Sequence, residues 1–249
     1  EEKYLSVCQS IGEFFLNGLN IDNVDNSRLC FSYSPVDKYH VHNANLFTAE
    51  FLIKLGKELG HEGFYQYGTK ALNYTLEAQN EDGSFYYWAL SDKDVYHIAD
   101  SVLKTIDHYH TGFVLRSLHS IYKTTGEERV FQALDKGYQF YRDNLFEDKR
   151  IPRLKPDSLY PIDIHSCAEA VLCMSTLSES FPDASEYARN AFLWVKDNMQ
   201  DKDGHFYYLI NRRRILKIPY IRWGQAWMMR ALSQYCCSLK EIQSEKVSR

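Results

Sequence analysis

The chain has 249 residues, 45% of them hydrophobic and 25% charged, and a net charge of -4. That balance suits an ordinary soluble globular protein. No apolar run approaches the roughly eighteen residues a membrane span needs, so membrane insertion is not expected. The slight acidic excess gives no reason to expect nucleic acid, which requires a concentrated basic face; the cluster Arg212-Arg213-Arg214 reads as a solvated loop.

Aromatic residues are abundant, with 19 Tyr, 14 Phe and 4 Trp. They suit a surface that must be apolar and hydrogen-bonding at once, as in a sugar-binding cleft, and also a large helical core. The six cysteines show no metal-ligand spacing, and Cys167 and Cys173 lie in an apolar helical stretch. They read as buried thiols in a reducing compartment, hence a cytoplasmic protein. The chain begins at Glu1 with no Met and no signal peptide, and so reads as a trimmed piece of a longer protein.

Along the chain, one pattern repeats. The first helical hairpin spans Tyr4–Gly60, and its second helix opens at His40-Val41-His42-Asn43-Ala44-Asn45. Next comes an amphipathic helix that ends in Gln79-Asn80-Glu81-Asp82-Gly83-Ser84-Phe85, a loop through His97 and Asp100, and an entry at Asp107-His108-Tyr109-His110. A degenerate copy follows over Phe131–Lys155, with its entry at Asp163-Ile164-His165. The fourth copy turns at Gln200-Asp201-Lys202-Asp203-Gly204-His205-Phe206 and re-enters at Arg222-Trp223-Gly224-Gln225. The entries recur every 60 residues or so, each leading into apolar positions at helical spacing, and no segment alternates as a strand does. The expected fold is all-α, with about four outer-then-inner helical hairpins in a single domain over residues 1–249. Such a pair cannot bury its faces alone, so neighbouring hairpins must stack.

The Gln-x-x-x-Gly-x-Phe turns after an outer helix resemble those of the α/α-toroid superfamily, which includes six-hairpin glycosidases, sugar epimerases and polysaccharide lyases. Within it the sequence looks most like toroid proteins associated with bacterial polysaccharide biosynthesis. The resemblance implies that the inner-helix N-termini form the working face, where free backbone N–H groups favour anionic ligands. Candidate catalytic residues are therefore His110, His165, Asp107 and Asp163. Candidate substrate-binding residues are His40, His42, Asn43, Asn45, His97, Asp100, His108, Tyr109, Arg222, Trp223 and Gln225.

The histidines suit proton abstraction from an acidic or N-acylated saccharide, of epimerase or lyase type, with Arg222 as a carboxylate clamp. Two alternatives stand beside it: a glycoside hydrolase using Asp107 and Asp163, and a non-catalytic saccharide-binding or assembly scaffold. Asp107, Asp163 and Asn43 also suit plain helix caps. No dinucleotide or phosphate loop occurs, no metal-ligand spacing is complete, and no cofactor is expected.

Overall fold

The structure, a computed structural model, describes residues 2–247, with side chains described up to residue 240. The long helices are α1 (Glu2–Gly18), α2 (His42–Leu59), α3 (Glu62–Glu77), α6 (His108–Thr125), α7 (Glu128–Asn144), α8 (Ile164–Leu177), α9 (Ala184–Met199) and α10 (Trp227–Val247). Two short helices, α4 (Asp92–Tyr96) and α5 (Asp100–Leu103), fill the loop before α6, and a π-helical turn (Ile221–Ala226) precedes α10. The long helices follow one another in the order that the sequence repeats predict, so the fold is all-α.

Strands are confined to short antiparallel pieces. β1 (Ile21–Asn23) pairs with β2 (Leu29–Phe31), and β3 (Phe146–Glu147) with β4 (Ile151–Pro152). β6 (Leu209–Ile210) lies between β5 (Ile162–Asp163) and β7 (Ile215–Leu216). No described helix is long and apolar enough to cross a membrane, and the six cysteines are free thiols.

The chain divides into two compact units: residues up to Ile106 with Ser117–Tyr138, and Asp107–Arg116 with residues from Gln139 onward. In the first unit α2 packs on α3, and Leu46, Leu52, Ile53, Phe64 and Leu72 are buried between them and β2. Asn45, expected at a ligand, is a structural cross-link instead. Its wholly buried amide accepts from the Phe31 backbone N–H at 3.0 Å and donates to the Ala71 carbonyl at 2.8 Å. A buried amide so occupied has nothing left for a substrate.

In the second unit α8 packs against α9 and α10 and is buried along every residue but Thr176, as an apolar helix without a polar face must be. α9 shows the outer pattern, with Ala184, Tyr187, Ala188, Ala191 and Trp194 buried at helical spacing.

The repeated turns explain their own sequence. Gly83 (φ 89°) and Gly204 (φ 96°) adopt the left-handed backbone that side chains resist. Each turn is then tied by its leading glutamine, since Gln79 Nε2 donates to the Gly83 carbonyl at 3.0 Å and Gln200 Nε2 to that of Gly204 at 2.9 Å. The degenerate third copy lacks the glycine and places Asp148 (φ 48°) and Lys149 (φ 58°) in the left-handed region instead.

Two buried polar features stand out in these cores. Glu169 on α8 is fully buried, and Arg116 on α6 clamps it with Nε–Oε1 at 2.6 Å and Nη2–Oε2 at 3.1 Å. The helices approach closely enough that a Cβ at Gly112 would meet Glu169 Cγ at 2.5 Å, so that position admits only glycine without displacing the carboxylate. The other feature is a pair of core histidines, one in each unit. Burial pushes the His42 imidazole down to about 4 and that of His108 to about 3. His108, expected at the working face, packs on Tyr141 and Phe146 with Nδ1 3.1 Å from the Arg153 carbonyl, and exposes no surface to a ligand.

Two stability predictions follow from these groups. Arg116→Met leaves Glu169 buried without its partner and should cost about 3–5 kcal/mol in urea unfolding, whereas an unchanged midpoint would contradict the pair's role. The depressed imidazoles make the unfolded chain bind more protons than the folded one below about pH 6.5. Stability should therefore be full above that pH and fall as the pH drops from 6 towards 4.5, by at most about 1.4 kcal/mol per histidine per pH unit. A denaturation midpoint that stays flat over that window would argue against neutral buried rings.

Candidate functional site

The second unit contains all four expected catalytic residues, Asp107, His110, Asp163 and His165. Asp107 precedes α6 and caps it, taking the His110 backbone N–H on Oδ1 at 2.9 Å. Its other oxygen lies 2.6 Å from His110 Nδ1, so one carboxylate holds both the helix start and the imidazole. With its proton on Nδ1 facing Asp107, the ring carries its basic lone pair on Nε2.

His165 stands in the first turn of α8. It is stacked on Tyr109 at 4.4 Å and flanked by Trp227 at 4.9 Å and Trp223 at 5.2 Å. Burial, reinforced by the nearby His110, pushes its imidazole down to about 4. Its Nε2 is a buried polar atom with no hydrogen-bond partner in the protein. Such an atom costs free energy for as long as it stays unpartnered. Phe113, with its ring 5.9 Å from both imidazoles, fixes their spacing.

Other expected residues serve the scaffold. Asp163 caps α8, one oxygen accepting from the Ser166 backbone N–H at 2.8 Å and the other from its hydroxyl at 2.9 Å. Burial raises its carboxyl above the ordinary range. Gln225 holds the Phe206 backbone through both amide atoms, at 2.9 and 2.8 Å. Arg222 is exposed and lies over its neighbour Trp223 at 4.8 Å, and Trp223 itself is half exposed beside His165.

The first unit holds the remaining expected residues in a separate arrangement. His40 binds Asp92, which is 1% exposed, through both its backbone N–H (2.7 Å) and Nδ1 (2.6 Å), and that bond raises the imidazole above its usual value. The pair lines a cavity of about 390 Å³ with Asp22, Ser32 and Tyr96. His42 is buried against Tyr74, and Asn43 is buried with Oδ1 unpartnered. His97 and Asp100 are exposed; His97 ends α4 at φ 52°, and Asp100 pairs with Lys93 at 2.8 Å. Among the described residues, no group of three His, Cys, Asp or Glu lies close enough to hold a metal ion.

Sequence reasoning missed Asp92, Phe113, Trp227, and the Arg116–Glu169 pair. A signal existed for the last: Glu169 interrupts the apolar run of α8 one turn after His165, and Arg116 likewise interrupts that of α6.

No protein-family model matches the sequence, and no curated protein matches it. Solved structures do. Cellobiose 2-epimerase from Bacillus thermoamylovorans B4167 aligns with a TM-score of 0.73 and 12% identity over 98% of this chain and 71% of that one. A sugar epimerase from a ruminal bacterium gives 0.69 and 13% over 98% and 70%. An α-1,6-mannanase of Salegentibacter sp. HEL1_6 gives 0.61 and 13% over 86% and 59%. The chain thus spans about three fifths to seven tenths of the length of these structures. Likeness at such identities speaks for architecture alone: the chain has the α/α-toroid fold.

Proposed function

We propose that this chain is a carbohydrate-active enzyme that removes and returns a proton at a sugar carbon, as an epimerase does, acting on an acidic or N-acylated saccharide. The observation that carries this reading is the pairing of two imidazoles in unlike settings. His110 is oriented by Asp107 at 2.6 Å, and His165 is kept neutral by burial with Nε2 unpartnered. An imidazole held in one tautomer by a carboxylate is a positioned general base. A neutral second imidazole can hydrogen-bond the oxygen beside the reacting carbon and exchange a proton on the other side. Trp223, half exposed beside His165, offers a flat apolar surface to a sugar ring, and Arg222 above it adds a charge suited to a carboxylate.

The hydrolase alternative fits the geometry less well. Both oxygens of Asp107 are engaged by His110 and both oxygens of Asp163 by Ser166, so each carboxylate already has a structural task. That two of the similar structures are named as epimerases agrees with proton transfer, while a mannanase among them keeps hydrolysis as the reading to test against.

Incubation of uronic and N-acylated oligosaccharides in deuterated water should wash label into one carbon-bound position. His110→Ala and His165→Ala should each lower that exchange by about 100- to 10,000-fold. Release of new reducing ends without carbon-bound deuterium, lost in Asp163→Asn but kept in both histidine variants, would overturn the proposal in favour of a hydrolase. Saccharide binding with neither exchange nor cleavage would overturn it in favour of a scaffold.

A further inference from the structure

The basic cluster that reads in sequence as a solvated loop takes a more specific form in the fold. Asn211–Arg214 is the tight connection between β6 and β7, closed by the Asn211 N–H on the Arg214 carbonyl at 2.9 Å. The three arginines line an open depression of about 650 Å³ together with Ser158, Tyr160 and Pro161. Arg28, Arg116, Arg129, Arg142 and Arg153 each hold a carboxylate, and nearby Lys217 has Asp201 at 4.0 Å. Arg212, Arg213 and Arg214 have no ion pair among the described residues. Three like charges on one turn repel one another, and an unpaired set around a concavity is relieved by an anion.

We infer that this depression is a binding site for an anionic saccharide, one bearing carboxylate or sulfate groups, distinct from the His110–His165 cluster. Planar guanidiniums match such oxyanions two oxygens at a time. Tyr160 and Pro161 supply the apolar surface a sugar ring needs, and the Ser158 hydroxyl and Asn211 amide are of the kind that bind its hydroxyls. Three arginines on one turn are a compact charge, whereas nucleic acid requires an extended basic face.

Its place in the sheet links it to the imidazoles. Ile162 pairs with Ile210 and Asp163 with Leu209, so the arginine turn adjoins Pro161, about 10 Å of extended chain before the start of α8 and one residue more before His165. An anionic unit held there would be a near neighbour, along one oligosaccharide, of the unit at His165. The ligand class rests on the saccharide reading above, whereas the charge recognition does not depend on catalysis.

The experiment measures binding of an oligogalacturonate, a neutral manno-oligosaccharide of equal length, and phosphatidylserine vesicles to the wild type and to Arg212→Ala/Arg213→Ala/Arg214→Ala. All three substitutions lie on an exposed turn, and circular dichroism checks the fold. Oligogalacturonate should bind the wild type with an affinity that falls as salt rises, and the triple variant should lose about tenfold or more. Proton exchange on a neutral N-acylated oligosaccharide should be unchanged by the triple substitution, and absence of exchange in the wild type alongside arginine-dependent uronate binding would count against the proposed function alone. Equal uronate affinity in both proteins would overturn the inference. So would vesicle binding that needs the arginines without uronate binding, a real contrast because Ile215, Ile218 and Ile221 beyond the turn are exposed.

Discussion

The interaction on which the second unit most depends is the buried ion pair between Arg116 and Glu169. A carboxylate at zero exposure inside a helix as apolar as α8 is tolerable only with a partner that satisfies both oxygens, and the guanidinium fork does so. The consequence is geometric. Arg116 stands on α6 about two turns after His110, and Glu169 on α8 one turn after His165, so the pair fixes the register in which the two helix starts present their imidazoles. The absence of a side chain at Gly112 is what lets the helices come that close. Such pairs add little net stability, but one arrangement satisfies this one and its alternatives strand a charge, which is a way of enforcing position.

Around that pair, each helix start solves two problems with the same atoms. The first N–H groups of a helix need acceptors, and a site needs polar side chains held still. Asp107 does both for α6, capping the helix with one oxygen and orienting His110 with the other. Asp163 does only the first for α8, and His165 is positioned instead by aromatic rings. That difference separates two entries that look equivalent in sequence. The first unit reaches a similar carboxylate–imidazole pair by another route, His40 with Asp92, joined across 52 residues instead of within one turn.

Much of the fold was legible from the sequence because its signals are local. The Gln-x-x-x-Gly turns identified themselves by a glycine that must adopt positive φ and a glutamine that reaches its carbonyl, and the helices by their apolar period. Candidate residues at the entries were legible as residue types, but their tasks were not. Asn45, His108 and Gln225 carry the polar chemistry expected of a site and spend it on Phe31, Arg153 and Phe206, partners set by tertiary packing. Asp92 escaped notice because nothing near it in sequence marks it as the partner of His40. Glu169 and Arg116 were each visible as charges in apolar runs, yet only the packing of α6 on α8 shows that they answer one another.

The central claim is that the site holds two imidazoles in unlike states, His110 with its proton fixed on Nδ1 by Asp107 and His165 neutral through burial. Ring-nitrogen NMR of histidine-labelled protein, titrated from pH 8 to about pH 4 and assigned with the single His→Ala variants, measures both states directly. The account predicts that His165 stays neutral until the pH approaches about 4, and that the His110 Nδ1–H signal is lost in Asp107→Asn. A His165 ring that titrates near the ordinary 6.5, or a His110 tautomer indifferent to Asp107, would contradict it.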